Sequence, residues 1–292
     1  MTALSAKESN TGKITYPWHR FWCARGGTID LSDSGFMRDP EIYPWGVAPA
    51  DPLTLEKLSS YRALILLGEP GMGKSMALKE EHARLTQGGD SGVISIKVDL
   101  RAFSSEDLLY RRVFGSQEFL DWARGSSQLL LHLDSLDEVL LRIDSVASFL
   151  ADELPHHPTE RLSIRIACRT AVWPVQTLEP ALKQIWGEAA VGAFELAPLR
   201  RTDVTTAASI QGIDTGDFIR AVVEADVVPF AIKPLTLNML LGIYKREAKM
   251  PRSIRDVYRR GCLMLCDLFR SIMTAPVPLS TIMSTNLRPE RH

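Results

Sequence analysis

No stretch of this 292-residue chain approaches the roughly 20 consecutive apolar residues that a membrane-spanning helix needs. The first residues also lack the basic-then-apolar form of a secretory signal. Both absences predict a cytoplasmic protein with no membrane partner. Charge of one sign is missing too: 34 Lys and Arg stand against 35 Asp and Glu, a formal net charge of -1, so nucleic acid is not indicated as a partner. Cysteine is scarce. Cys262 and Cys266 are one helical turn apart, but with only Cys23 and Cys168 elsewhere and no neighbouring histidine, buried thiols in a reducing compartment are expected rather than disulfides or a metal. His156 and His157, set between Pro155 and Pro158, read as a polar loop. No internal repeat of about 20–50 residues is visible.

What is present is the composition of a folded protein, 45% hydrophobic and 24% charged, and one glycine-rich loop. Gly68, Glu69, Pro70, Gly71, Met72, Gly73, Lys74 and Ser75 follow directly on the apolar run 63–67 and satisfy G-x-x-x-x-G-K-[ST] in full. Glycines at these positions let successive backbone N–H groups turn inward around a phosphate. Residues 74–86 read as a helix whose N-terminal N–H groups and dipole favour anionic oxygens. Lys74 is placed to reach the β and γ phosphates, and Met76 falls in the first turn beside them. Ser75 offers a hydroxyl to Mg²⁺, which prefers hard oxygen ligands.

Whether a bound nucleotide is hydrolysed depends on acids elsewhere. The run 128–133 is short and apolar, as a strand buried on both faces should be, and Asp134 emerges at its C-terminal end, where open α/β sheets place ligands. Asp134 is therefore the candidate magnesium ligand with Ser75. Asp137 and Glu138 follow three and four residues later and would share a side with Asp134 if the chain turned helical there. A carboxylate so placed can orient and deprotonate the water that attacks a γ phosphate.

The strand ending in Asp134-Ser135-Leu136-Asp137-Glu138 resembles the extended Walker B element of the NACHT family, within the STAND class of signalling P-loop NTPases. The phosphate loop resembles that family's loop. The run 164–170 ends in Arg169 where the family carries its sensor 1 residue, and 194–199 is similar to the strand before the helical subdomain. The segment 234–241 is similar to the helix whose proline, here Pro234, approaches the base. The resemblance implies a low-turnover ATPase (ATP and water to ADP and phosphate), with ATP or ADP and Mg²⁺ as ligands. Lys74, Asp137, Glu138 and Arg169 would be its catalytic residues, and its use a signalling switch in antiviral (antiphage) defence. It also implies self-association or a separate sensor or effector protein. Such proteins usually continue into a winged helix and a repeat array, so the end at His292 suggests a truncated or fragmentary C-terminal part.

Three regions are expected. Residues 1–54 form an aromatic-rich extension bearing Tyr16, Trp18, Phe21, Trp22, Phe36, Tyr43 and Trp45, read first as a cover for the nucleotide domain and second as a contributor to the base pocket through 18–27 or 44–52. Residues 55–200 alternate strands (63–67, 93–99, 128–133, 162–167, 192–196) with helices (74–86, 105–124, 139–153, 176–187), predicting an α/β fold with a parallel sheet covered on both faces. The family resemblance implies an ASCE/AAA+-like strand order 5-1-4-3-2. Residues 201–292 read as a small helical subdomain with helices at 202–210, 215–225, 234–249 and 253–273. Arg252, Arg255, Arg259 and Arg260 form a solvated face of the last of these.

Two other functions fit the same motifs: a remodelling ATPase of the wider AAA+ group, and a nucleotide-binding scaffold with negligible hydrolysis. A GTPase is disfavoured because Asn-Lys-x-Asp is absent, the chain's asparagines being Asn10, Asn238 and Asn286. An ABC ATPase lacks its Leu-Ser-Gly-Gly-Gln segment.

Overall fold

Side chains on successive residues of a strand point to opposite faces, and a strand covered on both faces is therefore mostly apolar along its length. Such runs make the centre of this protein. A computed structural model of the chain describes residues 16–42, 52–87, 92–139, 143–251, 253 and 255–263. Its seven strands are β1 (Phe21–Ala24), β2 (Leu53–Thr54), β3 (Ala63–Leu67), β4 (Val93–Asp99), β5 (Gln128–Asp134), β6 (Leu162–Cys168) and β7 (Val191–Leu196). They form one sheet in the order β2-β1-β7-β3-β6-β5-β4. The five strands from β7 to β4 are parallel. Counted from the strand before the phosphate loop, their order is the expected 5-1-4-3-2.

On β3, Ala63, Ile65 and Leu67 pack with Leu131, Leu133, Ile164 and Ile166 on one face of the sheet. Leu64 and Leu66 pack with Leu78, Phe194 and Leu196 on the other. The helices of this part are α1 (Lys74–Gln87), α2 (Glu106–Arg112), α3 (Gln117–Arg124), α4 (Ile143–Glu153) and α5 (Leu178–Trp186). The single helix expected over 105–124 is in fact two. Ser105 and Ser116 each accept a hydrogen bond from the backbone N–H three residues on, at Leu108 and Phe119, so each caps its own helix. Between them Val113 and Phe114 turn into the core.

Residues 16–42 do more than cover. β1 extends the parallel sheet as an antiparallel strand, pairing Trp22 with Leu196 and Cys23 with Glu195, and β2 adds outside it. Trp22 is fully buried on the α1 side of the sheet, while Tyr16 and Phe36 belong to a separate helical core. That core is built by α6 (Arg201–Ile210), α7 (Thr215–Glu224), α8 (Val228–Ala231), α9 (Pro234–Glu247) and the helical stretch 255–263, around Phe218, Val222, Leu237, Leu241 and Val257. The short α8 has no counterpart in the sequence reading. The remainder of the helix expected over 253–273, and the 44–51 part of the second base-pocket candidate, lie outside the described residues. Arg200, between β7 and α6, joins the N-terminal segment to the helices: its guanidinium lies 3.0 Å from Asp39, 2.6 Å from Glu41 and 2.9 Å from Asp203. These charge-assisted bonds satisfy a buried cation from three directions. Among the described residues no helix is long and apolar enough to cross a membrane.

Candidate functional site

Parallel register brings the strand ends together along one edge of the sheet. Leu67 lies beside both Cys168 and Glu195, and Asp99 beside Asp134, so the loops after β3, β4, β5 and β6 leave the sheet side by side. The phosphate loop is the first of these. Gly71 (φ +77) and Gly73 (φ +103) hold it in backbone conformations that a side chain would strain. The N–H groups of Gly71, Gly73, Lys74 and Ser75 have no hydrogen-bond acceptor among the described residues. Clustered donors of this kind at a helix N-terminus are the chemistry a phosphate requires, so the loop fits a nucleotide.

Lys74 folds over the loop and donates to the carbonyls of Gly68 (2.5 Å) and Glu69 (3.2 Å). Burial pushes its ammonium below the usual lysine value, against the opposing charges of Asp137 and Asp134. Ser75 donates to Asp134 Oδ1 at 2.9 Å, so the two candidate magnesium ligands, one on α1 and one at the end of β5, are in contact. Both offer hard oxygens, the donor type magnesium selects.

The acids after β5 part company. Ser135 adopts a left-handed backbone (φ +62) and residues 136–138 form a 3₁₀ turn. The turn carries Asp137 toward β6: its Oδ1 accepts from the Arg169 backbone N–H at 3.2 Å, and its Oδ2 lies 2.6 Å from Arg169 Nε, a charge contact outside hydrogen-bond alignment. The Asp137 side chain is thus buried and paired, only 5% exposed, whereas that of Glu138 is 43% exposed between Arg169 (3.5 Å) and Arg101 (3.6 Å). Next to Arg169, burial and then the Asp137 charge push the Cys168 thiol up to about 12.

Helix α9 reaches the phosphate loop directly. Leu235 donates its backbone N–H to Gly71 O at 3.3 Å, and a Cβ placed on Gly71 would sit 2.8 Å from Leu235 Cβ. Pro234, the first residue of α9, faces Gly73, with its Cγ 3.9 Å from where a Cβ there would lie. Lys233 forms an ion pair with Glu69, and this hydrogen bond holds the Glu69 carboxyl below its usual range. Beside α1, Trp18, Arg20 and Trp22 line a cavity of about 350 Å³ together with Leu55, Ala77 and Glu80.

The structure therefore gathers Gly68 to Met76, Asp134, Asp137, Glu138, Arg169 and Pro234 at one sheet edge. Four neighbours were missed by sequence reading: Lys97, whose Nζ is 3.3 Å from Asp134 Oδ2, with Arg101, Lys233 and Leu235. Lys97 did carry a signal, being the one charge inside the apolar run 93–98, but nothing in the sequence says which way it points.

No protein-family model matches the chain, and no curated protein does. Similar solved structures include the Orc1 protein of Aeropyrum pernix in complex with DNA, at 18% identity and a TM-score of 0.44 over 74% of this chain. The chain spans 63% of the length of that protein. The Holliday junction branch migration motor RuvB of Thermotoga maritima is similar at 10% identity and a TM-score of 0.39, covering 78% of each chain. Domain III of the replication initiation protein DnaA from Thermotoga maritima is similar at 15% identity and a TM-score of 0.43, covering 73% of this chain and 88% of that one.

Proposed function

We propose that this chain binds ATP with magnesium at the loop 68–75 and acts as a slowly hydrolysing switch of the NACHT/STAND type, working with a further copy of itself or a separate sensor or effector, in a defence role. Lys74 and the backbone N–H groups of the loop hold the phosphates. Ser75 and Asp134 are the residues that would hold magnesium, which would supply neutralising positive charge beside the phosphates. Asp137 orients the attacking water and accepts its proton, and Arg169 holds that carboxylate in place. Low turnover follows from this pairing: both oxygens of Asp137 are engaged by Arg169, which leaves the carboxylate fewer lone pairs to orient the water and take its proton.

The observation that carries the switch reading is the docking of Lys233 and Leu235 on Glu69 and Gly71. The helical part touches the phosphate-binding loop itself, so any adjustment of that loop to a γ phosphate acts on α9 without an intermediary. A ligand shifts such an equilibrium only through different contacts in the two states, and this interface supplies them. The cavity beside Trp18 and Ala77 is the candidate base pocket. The test is ATP binding with light scattering and small-angle X-ray scattering, with and without Mg²⁺: a nucleotide-dependent change of shape or mass is expected, and its absence alongside ATP binding would favour a passive scaffold.

A further inference from the structure

Asp134 already has a cation of its own. β4 and β5 run parallel with Lys97 opposite His132 and Asp99 opposite Asp134. The Lys97 side chain therefore has to run forward along the sheet by two residues, about 6.6 Å, which a flexible four-carbon stem spans. Its ammonium ends 3.3 Å from Asp134 Oδ2, while Oδ1 accepts from Ser75. The Asp134 side chain is only 2% exposed and that of Lys97 23%. A carboxylate this buried needs a counter-charge, and here β4 provides it from within the fold, at the group offered to magnesium.

We infer that Lys97 is a resident counter-ion that competes with magnesium for Asp134, so that nucleotide binds this chain with little dependence on a divalent cation. The inference rests on the nucleotide-binding reading of the loop. Its physical basis is charge. A monovalent ammonium on the same carboxylate repels a divalent ion, and Lys97, partly exposed at the end of a mobile stem, has to swing aside before Asp134 can face the metal. Asp134, buried on a central strand, cannot move to meet it.

The experiment measures the Kd of fluorescently labelled ATP in EDTA and in saturating magnesium, for wild type, Lys97→Arg and Lys97→Met, with Lys74→Ala as the control for binding at the loop. The ratio of the two Kd values is expected to be close to unity in wild type and in Lys97→Arg, and on the order of tenfold higher in Lys97→Met, where the repelling charge is gone. The same ratio in all three proteins overturns the inference, as does a wild type that already depends strongly on magnesium; both leave the phosphate-loop reading standing. Wild type that binds no ATP in either buffer, or binding unchanged by Lys74→Ala, rejects that reading and the inference with it. Should circular dichroism show Lys97→Met unfolded, Lys97→Gln, which keeps a hydrogen-bond donor without the charge, carries the same expectation.

Discussion

Ser75 and Asp134, 59 residues apart in sequence, are joined by a 2.9 Å hydrogen bond between the first turn of α1 and the end of β5. The bond exists because β6 lies between β3 and β5, so the loop after β3 crosses the end of one intervening strand to meet Asp134. It fixes where charge has to be managed at this edge of the sheet.

Phosphate binding and water activation are expected to separate by mutation. Lys74→Ala should abolish ATP binding measured by fluorescence titration. Asp137→Asn should leave binding intact and lower steady-state hydrolysis by about 10²-fold or more, the usual contribution of a positioned base. Unchanged turnover in Asp137→Asn would reject that assignment, and a larger loss in Glu138→Gln would move the base by one residue.

The contact between α9 and the loop predicts a stability effect at a residue with no side chain. Gly71→Ala would place a Cβ 2.8 Å from Leu235 Cβ on a backbone at φ +77. The backbone term alone costs about 1–2 kcal/mol, so the urea midpoint should fall and the helical part should become more accessible to proteolysis. Removing the exposed Glu69–Lys233 pair by Lys233→Ala should change stability by about 1 kcal/mol or less. A Gly71→Ala protein as stable as wild type would show that α9 does not dock as described.

Beneath α1 the sheet buries charge that takes no part in the proposed chemistry. Glu81 lies 3.0 Å from His132 Nε2 and 3.6 Å from Arg165 Nε. An ionised carboxylate only accepts, so His132 donates from Nε2, while its Nδ1 and that of His82 lie 3.4 and 2.9 Å from the Ser95 hydroxyl. Burial opposes ionisation of Glu81, yet the hydrogen bond from His132 and the charge of Arg165 outweigh it and hold the carboxyl below its ordinary value of 4.5. A depressed carboxyl contributes stability that is present above that value and lost as pH falls through the lower folded-state one. Chemical denaturation between neutral pH and pH 3 should show this acid loss in wild type and a flatter profile in Glu81→Gln. Glu81→Ala, which strands Arg165, should cost about 3–5 kcal/mol at neutral pH.

Thiol reactivity offers a check that needs no mutation. Burial and Asp137 raise the Cys168 thiol to about 12, so almost none of it is thiolate at pH 8, while Cys262, against the expectation of a buried thiol, is exposed. Titration with a chromogenic disulfide should label Cys262 in the native protein and reach Cys168 only in denaturant. Rapid native labelling of Cys168 would mean that the Asp137–Arg169 corner opens readily.

Much of the fold was legible because a strand buried on both faces shows as a continuous apolar run, as 63–67 does for β3 residue for residue; 93–99 matches the edge strand β4 as well. The break between α2 and α3 is written in Ser116, which caps the second helix. β1 was hidden for a different reason. Four residues rich in aromatics carry no period long enough to distinguish a strand from a covering segment.

The sequence by itself determined the phosphate loop, the acids after β5 and the alternation that makes a parallel sheet, because each rests on residue type and spacing along the chain. Tertiary structure alone decided the partners: Lys97 on Asp134, Arg169 on Asp137, Leu235 on Gly71. Strand order and register set the first two of these pairings, and the docking of α9 the third. A left-handed turn at Ser135 decided that Asp134 and Asp137 face different neighbours.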